Sequence, residues 1–326
     1  MNSWKGKNVF ITGITGFIGT AVAKELLKRG ANVIGLVREI NHVSEDLKDC
    51  FIVHGDICDY DTVRETMSFY EVDTVFHFAA FAIVRVAARD PLSAYRVNVM
   101  GTVNVLEAAR LLDTCNSIVV ASSDKAYGDH ENLPYTENFP LQPNNTYDTS
   151  KACMDMVSRT YARNYDMNVC VTRCSNVYGP GDMNLSRIIP NTIRRNLEGD
   201  PAFVWNDVEG MEREFIYIDD VVDAYLRLGE ALPLNSAMMS GQAYNIGGTG
   251  PTKIYDLVSK ISNVIGLDKK PTVARREWKF REITKQYIDA SKLRQETGWE
   301  PMIDLGEGLE KTVEWYKDFY EKEGML

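Results

Sequence analysis

Between residues 8 and 178, short apolar runs alternate with stretches whose apolar positions recur every three or four residues. "NVFIT" (8–12) is a β-rich run ending at Gly13; from Phe17 to Arg29 the spacing is helical, and Gly30 closes that helix. "NVIGLV" (32–37), "CFIVHGD" (50–56), "DTVFHFAA" (73–80), "SIVVASS" (117–123) and "NVCVTRC" (168–174) predict five more strands. Helices are predicted near 60–69, from Pro91 to about Leu112, and from about 146 to 165; Pro91 suits a first helical turn. Alternating strands and helices predict an α/β fold, a doubly wound parallel sheet covered on both faces. After "NVYGPGD" (176–182) the alternation stops, and the remainder is expected to be less regular, mainly a smaller domain capping the strand ends. No internal repeat or low-complexity tract is present.

Composition narrows the function. The 326 residues suffice for a large core, and a net charge of −10 argues against nucleic acid as a partner. An acidic chain that binds a phosphorylated ligand needs local Arg, Lys or helix N-termini. Six scattered cysteines form no CxxC pair and only four histidines exist, so no metal site is expected and the thiols read as free, in a reducing cytosol. The most apolar stretch, "VFHFAAFAIVRVAA", is broken by His77 and Arg85. With no membrane span and no signal-peptide pattern, the expectation is a cytoplasmic protein.

"TGITGFIG" places Gly13, Gly16 and Gly19 between the first strand and its helix. Such glycines permit a tight turn and close backbone approach, with the helix N-terminus facing a diphosphate. A dinucleotide cofactor is therefore expected, with Thr15, Phe17 and Ile18 of the same loop among its contacts. Asp56 and Ile57, after the third strand, and Ala79 and Ala80, after the fourth, complete the candidate set; Asp56 reads equally as a turn residue. An NAD site usually has an acid at the end of the second strand. Here "LVRE" offers Val37 and then Arg38, whose guanidinium suits a 2′-phosphate. The reading leans to NADP, with NAD retained because Arg38 can equally be solvated and Glu39 follows it.

"YDTSK" sets Tyr147 and Lys151 on one face of a predicted helix. An ammonium near a phenol favours phenolate, which can take a hydroxyl proton while hydride leaves the same carbon. A serine, Ser123, stands at the end of the fifth strand.

With these three features the chain resembles the extended short-chain dehydrogenase/reductase family. "TGITGFIG", "HFAA", "NVMGTVNVLEAA", "ASSDKAYG", "YDTSK", "RCSNVYGPGD", "REFIYIDDVVDAY" and "YNIGG" follow the family's order, as does the C-terminal "DASKLRQETGWEPMIDLGEGLEKTVEWY". The resemblance implies a Rossmann-type domain over 1–178, to which segments near 213–248 and 283–291 return. It implies a mainly smaller nucleotide-sugar-binding domain over 179–326. It also implies a catalytic core of Ser123, Tyr147 and Lys151, with Lys151 holding the nicotinamide ribose and Asn98 supporting it.

After Ser123 come Asp124 and Lys125. In epimerases of the family these positions are usually small or neutral; in 4,6-dehydratases they are an acid and a base. Asp then Lys is similar to the CDP-glucose 4,6-dehydratases, so the resemblance implies an NDP-hexose 4,6-dehydratase, a carbon–oxygen lyase. An NDP-sugar 4-epimerase is the alternative, and a catalytically idle binding homologue a third. The chemistry requires Lys125 neutral and Asp124 protonated, which burial favours and a mutual ion pair opposes. The plain alternative is a turn capped by Asp with Lys in solvent. Candidate substrate contacts are Arg85, Ser123, Asn176, Arg187, Arg213 and Arg276, arginine being suited to bidentate phosphate binding. By analogy a homodimer is expected, with Val105, Leu106, Met154, Val157 and Tyr161 either at its interface or in the core.

Overall fold

All five residues of the strand "SIVVA" are buried, and their side chains enter two different cores. Val119 and Ala121 face one apolar cluster while Ile118 and Val120 face the other, so this strand has a packed layer on each side. The computed structural model describes residues 3–40, 43–200, 202–206, 208, 210–267, 270–275 and 283–324.

In chain order the first elements are β1 (Asn8–Thr12), α1 (Phe17–Lys28), β2 (Asn32–Val37), β3 (Phe51–His54), α2 (Tyr60–Phe69), β4 (Thr74–His77) and α3 (Val84–Arg89). Next come α4 (Pro91–Tyr95), a π-helical turn at Arg96–Met100, α5 (Gly101–Arg110), β5 (Ser117–Ala121), α6 (Thr146–Tyr165) and β6 (Val169–Cys174). The second half holds β7 (Asn176–Tyr178), α7 (Ile188–Leu197), β8 (Phe203–Trp205), β9 (Glu212–Tyr217), α8 (Ile218–Leu234) and α9 (Ser236–Met239). It continues with β10 (Ala243–Ile246), β11 (Pro251–Lys253), α10 (Ile254–Ile265), β12 (Thr272–Ala274), β13 (Lys285–Gln286), α11 (Ser291–Thr297) and α12 (Leu305–Lys322).

Seven strands form the main sheet in the order β3-β2-β1-β4-β5-β6-β10, each neighbouring pair parallel. This is the doubly wound Rossmann arrangement, and the strand order reverses between β1 and β4. Ligands in such sheets bind beyond the strands' carboxyl ends at that switch. A smaller sheet is built around β9, which pairs with β7, β11 and β13.

The segment 213–248 divides between these layers. Its first strand, β9, belongs to the small sheet, whereas β10 closes the edge of the large one beside β6. β13, within 283–291, pairs with β9. The second half is more regular than its Pro and Gly clusters suggest. In α8 the residues Val221, Tyr225, Leu228 and Leu232 are buried, and α10 and α12 also carry one apolar face each. No helix among the described residues is long and apolar enough to cross a membrane. Of the interface candidates, Val105, Leu106 and Met154 lie inside the core, with Val157 and Tyr161 packed partly buried against it.

One polar group is buried deep in this frame. The guanidinium of Arg173, on β6, donates to both carboxylate oxygens of Asp155 on α6, at 2.8 and 3.0 Å. It also donates to the Tyr127 hydroxyl at 2.9 Å and the Glu137 carbonyl at 3.2 Å. Tyr127 in turn donates to Asn245 on β10 at 2.7 Å. Both charged side chains are fully buried. Removing one partner of such a pair strands the other charge. Arg173→Met should therefore destabilise the protein by about 3–5 kcal/mol, and Arg173→Met with Asp155→Leu should recover most of that. Urea unfolding of both single variants and the double variant checks this; simple additivity would contradict it.

Candidate active site

The glycine loop is shaped for close approach. Gly13 has φ +71°, and a Cβ there would lie 2.7 Å from the Ala79 nitrogen. A Cβ on Gly19 would lie 2.2 Å from the Gly13 carbonyl oxygen. α1 starts after Gly16 with no side-chain cap, leaving its first-turn amides to a ligand or solvent. These residues fit a dinucleotide diphosphate. Thr15 is exposed, Phe17 and Ile18 pack partly buried against the core, and Ala79 donates its amide to Thr12 Oγ1 at 3.2 Å, with Ala80 half-buried beside it. Asp56 accepts from the Cys58 amide at 2.9 Å in a local turn, and Ile57 is buried against Gly101. Arg38 is exposed just beyond β2.

The residues after β5 form a 3-10 turn, Asp124–Tyr127, capped by Ser123. Ser123 Oγ accepts from the Lys125 amide and donates to Asp124 Oδ1, both at 3.2 Å. The expected turn is present, but Ser123 rather than Asp124 caps it, and Lys125 is half-buried rather than in solvent. The Asp124 side chain is 4% exposed, and burial pushes its carboxyl up from the ordinary range. The charges of Lys125 and Arg213 and the Ser123 hydroxyl oppose that shift. Among the described residues no ion pair joins Asp124 to Lys125. The half-buried Lys125 instead points Nζ at Gln286 Oε1, 3.4 Å away.

Tyr147 and Lys151 lie in the first turns of α6, which Asn145 caps. Burial raises the Tyr147 phenol, and the Asp124 and Asp148 carboxylates raise it further; Arg187 and Ser123 work the other way. The expectation that Lys151 depresses this phenol is corrected here. Lys151 Nζ donates to the Ala121 carbonyl at 2.6 Å, and burial lowers its pKa to about 7. Among the groups that shift the Tyr147 phenol, Lys151 is not one.

Asn98 sits in the π-turn, fully buried. Its Oδ1 accepts from the Phe81 amide at 2.6 Å, and its Nδ2 donates to Ser150 Oγ at 2.8 Å, so it supports Lys151 through the preceding residue.

The expected phosphate contacts are spread out. Arg187 caps α7, pairs with Asp182 at 3.0 Å and lies 6.0 Å from the Phe17 ring centroid, between cofactor loop and Tyr147. Arg213 is buried, donating to the carbonyls of Ile283 at 2.6 Å, Thr284 at 3.3 Å and Glu212 at 2.9 Å. Asn176 donates to the Glu214 carbonyl at 2.9 Å. Arg85 is exposed on α3, and Arg276 lies outside the described residues.

Three residues escaped the sequence reading. His77, between Thr12 Oγ1 at 2.6 Å and Thr102 Oγ1 at 2.9 Å, is pushed down to about 3 by burial and by the Lys151 charge. Glu214 is 2% exposed, and burial with the nearby Asp124 charge pushes it up to about 7. Gln286 is fully buried beside the catalytic turn. His77 and Glu214 lie inside the segments "HFAA" and "REFIYIDDVVDAY", but nothing in their spacing marks them; Gln286 lies outside any motif and is brought in by strand pairing.

The family model described as GDP-mannose 4,6 dehydratase matches residues 10–312. The chain belongs to the extended short-chain dehydrogenase/reductase family of nucleotide-sugar dehydratases and epimerases. A dTDP-glucose 4,6-dehydratase of Streptomyces antibioticus is 33% identical over 95% of this chain and 92% of its own length. A UDP-glucose 4-epimerase of Mycolicibacterium smegmatis is 28% identical over 94% of this chain and 98% of its own. The structure of a Streptomyces venezuelae dTDP-glucose 4,6-dehydratase with NAD and TYD bound superposes with a TM-score of 0.85 at 27% identity, covering 98% of this chain and all of that one. A trifunctional Arabidopsis thaliana relative, 29% identical over 98% of this chain, is longer; the chain spans 48% of it. Membership in this NAD-dependent family accounts for the glycine loop and for the joint placement of Ser123, Tyr147 and Lys151.

The buried lysine has a measurable signature. Below about pH 7 Lys151 is charged in both folded and unfolded protein, and the desolvation penalty is complete. Above that value the folded state sheds its proton first, so the penalty shrinks as pH rises toward the unfolded lysine pKa of about 10.4. In nucleotide-free protein, Lys151→Met should be the more stable form at pH 6.5, by on the order of 2–4 kcal/mol, and the gap should narrow by pH 9.5. Thermal unfolding at both pH values checks the trend; a gap independent of pH would contradict it.

Proposed function

We propose that the protein is a nucleotide-sugar 4,6-dehydratase, converting an NDP-hexose to an NDP-4-keto-6-deoxyhexose. The observation that carries this reading is Asp124: a buried carboxyl with a raised pKa, next to a lysine that it does not pair with. Gly13, Gly16 and Gly19 would hold the diphosphate of a nicotinamide dinucleotide and Lys151 its ribose, and the bound cofactor would supply hydride acceptance at carbon 4 and its return at carbon 6. As phenolate, its own proton first released to solvent, Tyr147 takes the carbon-4 hydroxyl proton, with Ser123 and the Arg187 charge favouring that form. The ketone acidifies carbon 5, where the Lys125 amine removes the proton. Protonated Asp124 gives its proton to the departing carbon-6 hydroxyl, and water leaves. The Lys125 ammonium then returns a proton to carbon 5. A protonated Asp124 also lifts the charge that raises Tyr147, so one protonation state serves both steps.

A 4-epimerase would use the same Ser123, Tyr147 and Lys151, and the epimerase relative supports that second reading. It leaves Asp124 and Lys125 without a task. We further propose NADP as cofactor, on Arg38. The protein is proposed to work as a cytoplasmic homodimer, supported by free cysteines and by exposed Leu92, Met100 and Met156 around α4 to α6.

Two variants separate the steps. Lys125→Met should permit carbon-4 oxidation, seen as a rise in nicotinamide absorbance, while lowering turnover by about 10²–10⁴. Tyr147→Phe should suppress the absorbance change itself. Near-normal turnover in Lys125→Met would reduce Lys125 to a turn residue and favour the epimerase. For the cofactor, Arg38→Ala should weaken NADP binding by about 1–3 kcal/mol. Recovering only NAD from denatured protein would sink the NADP proposal.

A further inference from the structure

We infer that Gln286 is the positioning residue that holds Asp124 and Lys125 apart, an inference that rests on the dehydratase reading. Gln286 comes from β13 of the small sheet and is fully buried. Its Nε2 donates to the Asp124 carbonyl at 3.2 Å, and its Oε1 accepts from Lys125 Nζ at 3.4 Å. Only one orientation of the amide satisfies both contacts, because the carbonyl needs a donor and the amine an acceptor. A residue that merely docked β13 on the turn would need the first contact alone. The second engages a flexible four-carbon side chain, and it does so at the side chain the chemistry uses as a base.

The alternative partner for Lys125 is adjacent. The Asp124 carboxyl feels the Lys125 charge, and Arg213 and Glu214 of β9 and Tyr147 of α6 also face it. Without an acceptor at position 286, Lys125 Nζ swings to Asp124. An ion pair then stabilises carboxylate and ammonium together, the wrong state of both groups for elimination. Gln286 is neutral, so it engages the lysine without stabilising its charge as a carboxylate would. Its own place is fixed by the small sheet. It lies in register with Arg213, whose guanidinium grips the Ile283 and Thr284 carbonyls just before β13. The small sheet thereby sets the geometry of a catalytic turn carried by the large one.

The test compares Gln286→Leu and Gln286→Glu with wild type. The pH dependence of Lys125 acylation by acetic anhydride, followed by mass spectrometry, reads the lysine directly. In both variants labelling of Lys125 at pH 7 should fall about tenfold, because pairing with Asp124 ties up the amine. With the nucleotide-sugar substrate, kcat should fall about 10–100-fold with KM within threefold, and the basic limb of the pH–rate profile should follow the labelling curve. If the leucine variant fails to fold, the glutamate variant carries the same readouts. Labelling curves and kcat within twofold of wild type would overturn the inference. Reduced labelling in the variants, with no water loss from any NDP-hexose by wild type, would keep Gln286 as the residue that positions Lys125 and remove the dehydratase reading instead.

Discussion

The bidentate contact between Arg173 and Asp155 fixes the two halves of the candidate site to each other. Asp155 lies one turn beyond Lys151 on α6, and Arg173 lies on β6, beside the strand that delivers Ser123. A third guanidinium bond, to Tyr127, ends the 3-10 turn that carries Asp124 and Lys125. The helix with the phenol and the turn with the acid and base are therefore referenced to one buried cation. Buried ion pairs contribute little net stability compared with apolar packing. Here the pair contributes position: sub-ångström placement of reacting groups is what an active site needs from its scaffold.

Around that fixed point, burial does the electrostatic work. The site keeps Asp124, Lys151 and Tyr147 in largely dehydrated surroundings, and desolvation dominates each shift. The result is a carboxyl pushed up, a lysine pushed down to about 7 and a phenol pushed up, each by the same loss of water. Glu214, raised to about 7 behind Asp124, adds a second carboxyl that disfavours a second negative charge in the same place. Arg213, held by backbone carbonyls, moderates the repulsion without reaching ion-pair contact with Asp124 among the described residues.

Much of this frame is legible in the sequence. The strand at 8–12 coincides with its apolar run because it is buried on both faces, and the helix at 60–69 is legible from the one face that buries Val63, Thr66 and Met67. The glycine spacing and the YxxxK spacing are readable because each encodes a local geometry: a tight turn, and one face of a helix. The second half is harder. Gly and Pro clusters hide the amphipathic α8, α10 and α12, whose apolar faces are filled across long sequence distances. Gln286 carries no local signature, and the spacing around Glu214 does not mark its role. Their roles come from β9 and β13 pairing beside a turn more than 80 residues upstream, and such pairing is invisible to spacing arguments. The direction of the Tyr147 shift is illegible for a related reason. Proximity of Lys151 in the helix says nothing about where its Nζ points, and a carbonyl on β5 claims it.

The central claim is that Asp124 and Lys125 perform elimination rather than shape a turn. Incubating wild-type protein with a panel of NDP-hexoses in deuterated water, and weighing the products, tests it most directly. The account predicts a product lighter by one water that carries solvent deuterium at carbon 5, because the abstracted proton passes through an exchangeable ammonium. A product of unchanged mass with an inverted carbon 4 would contradict it.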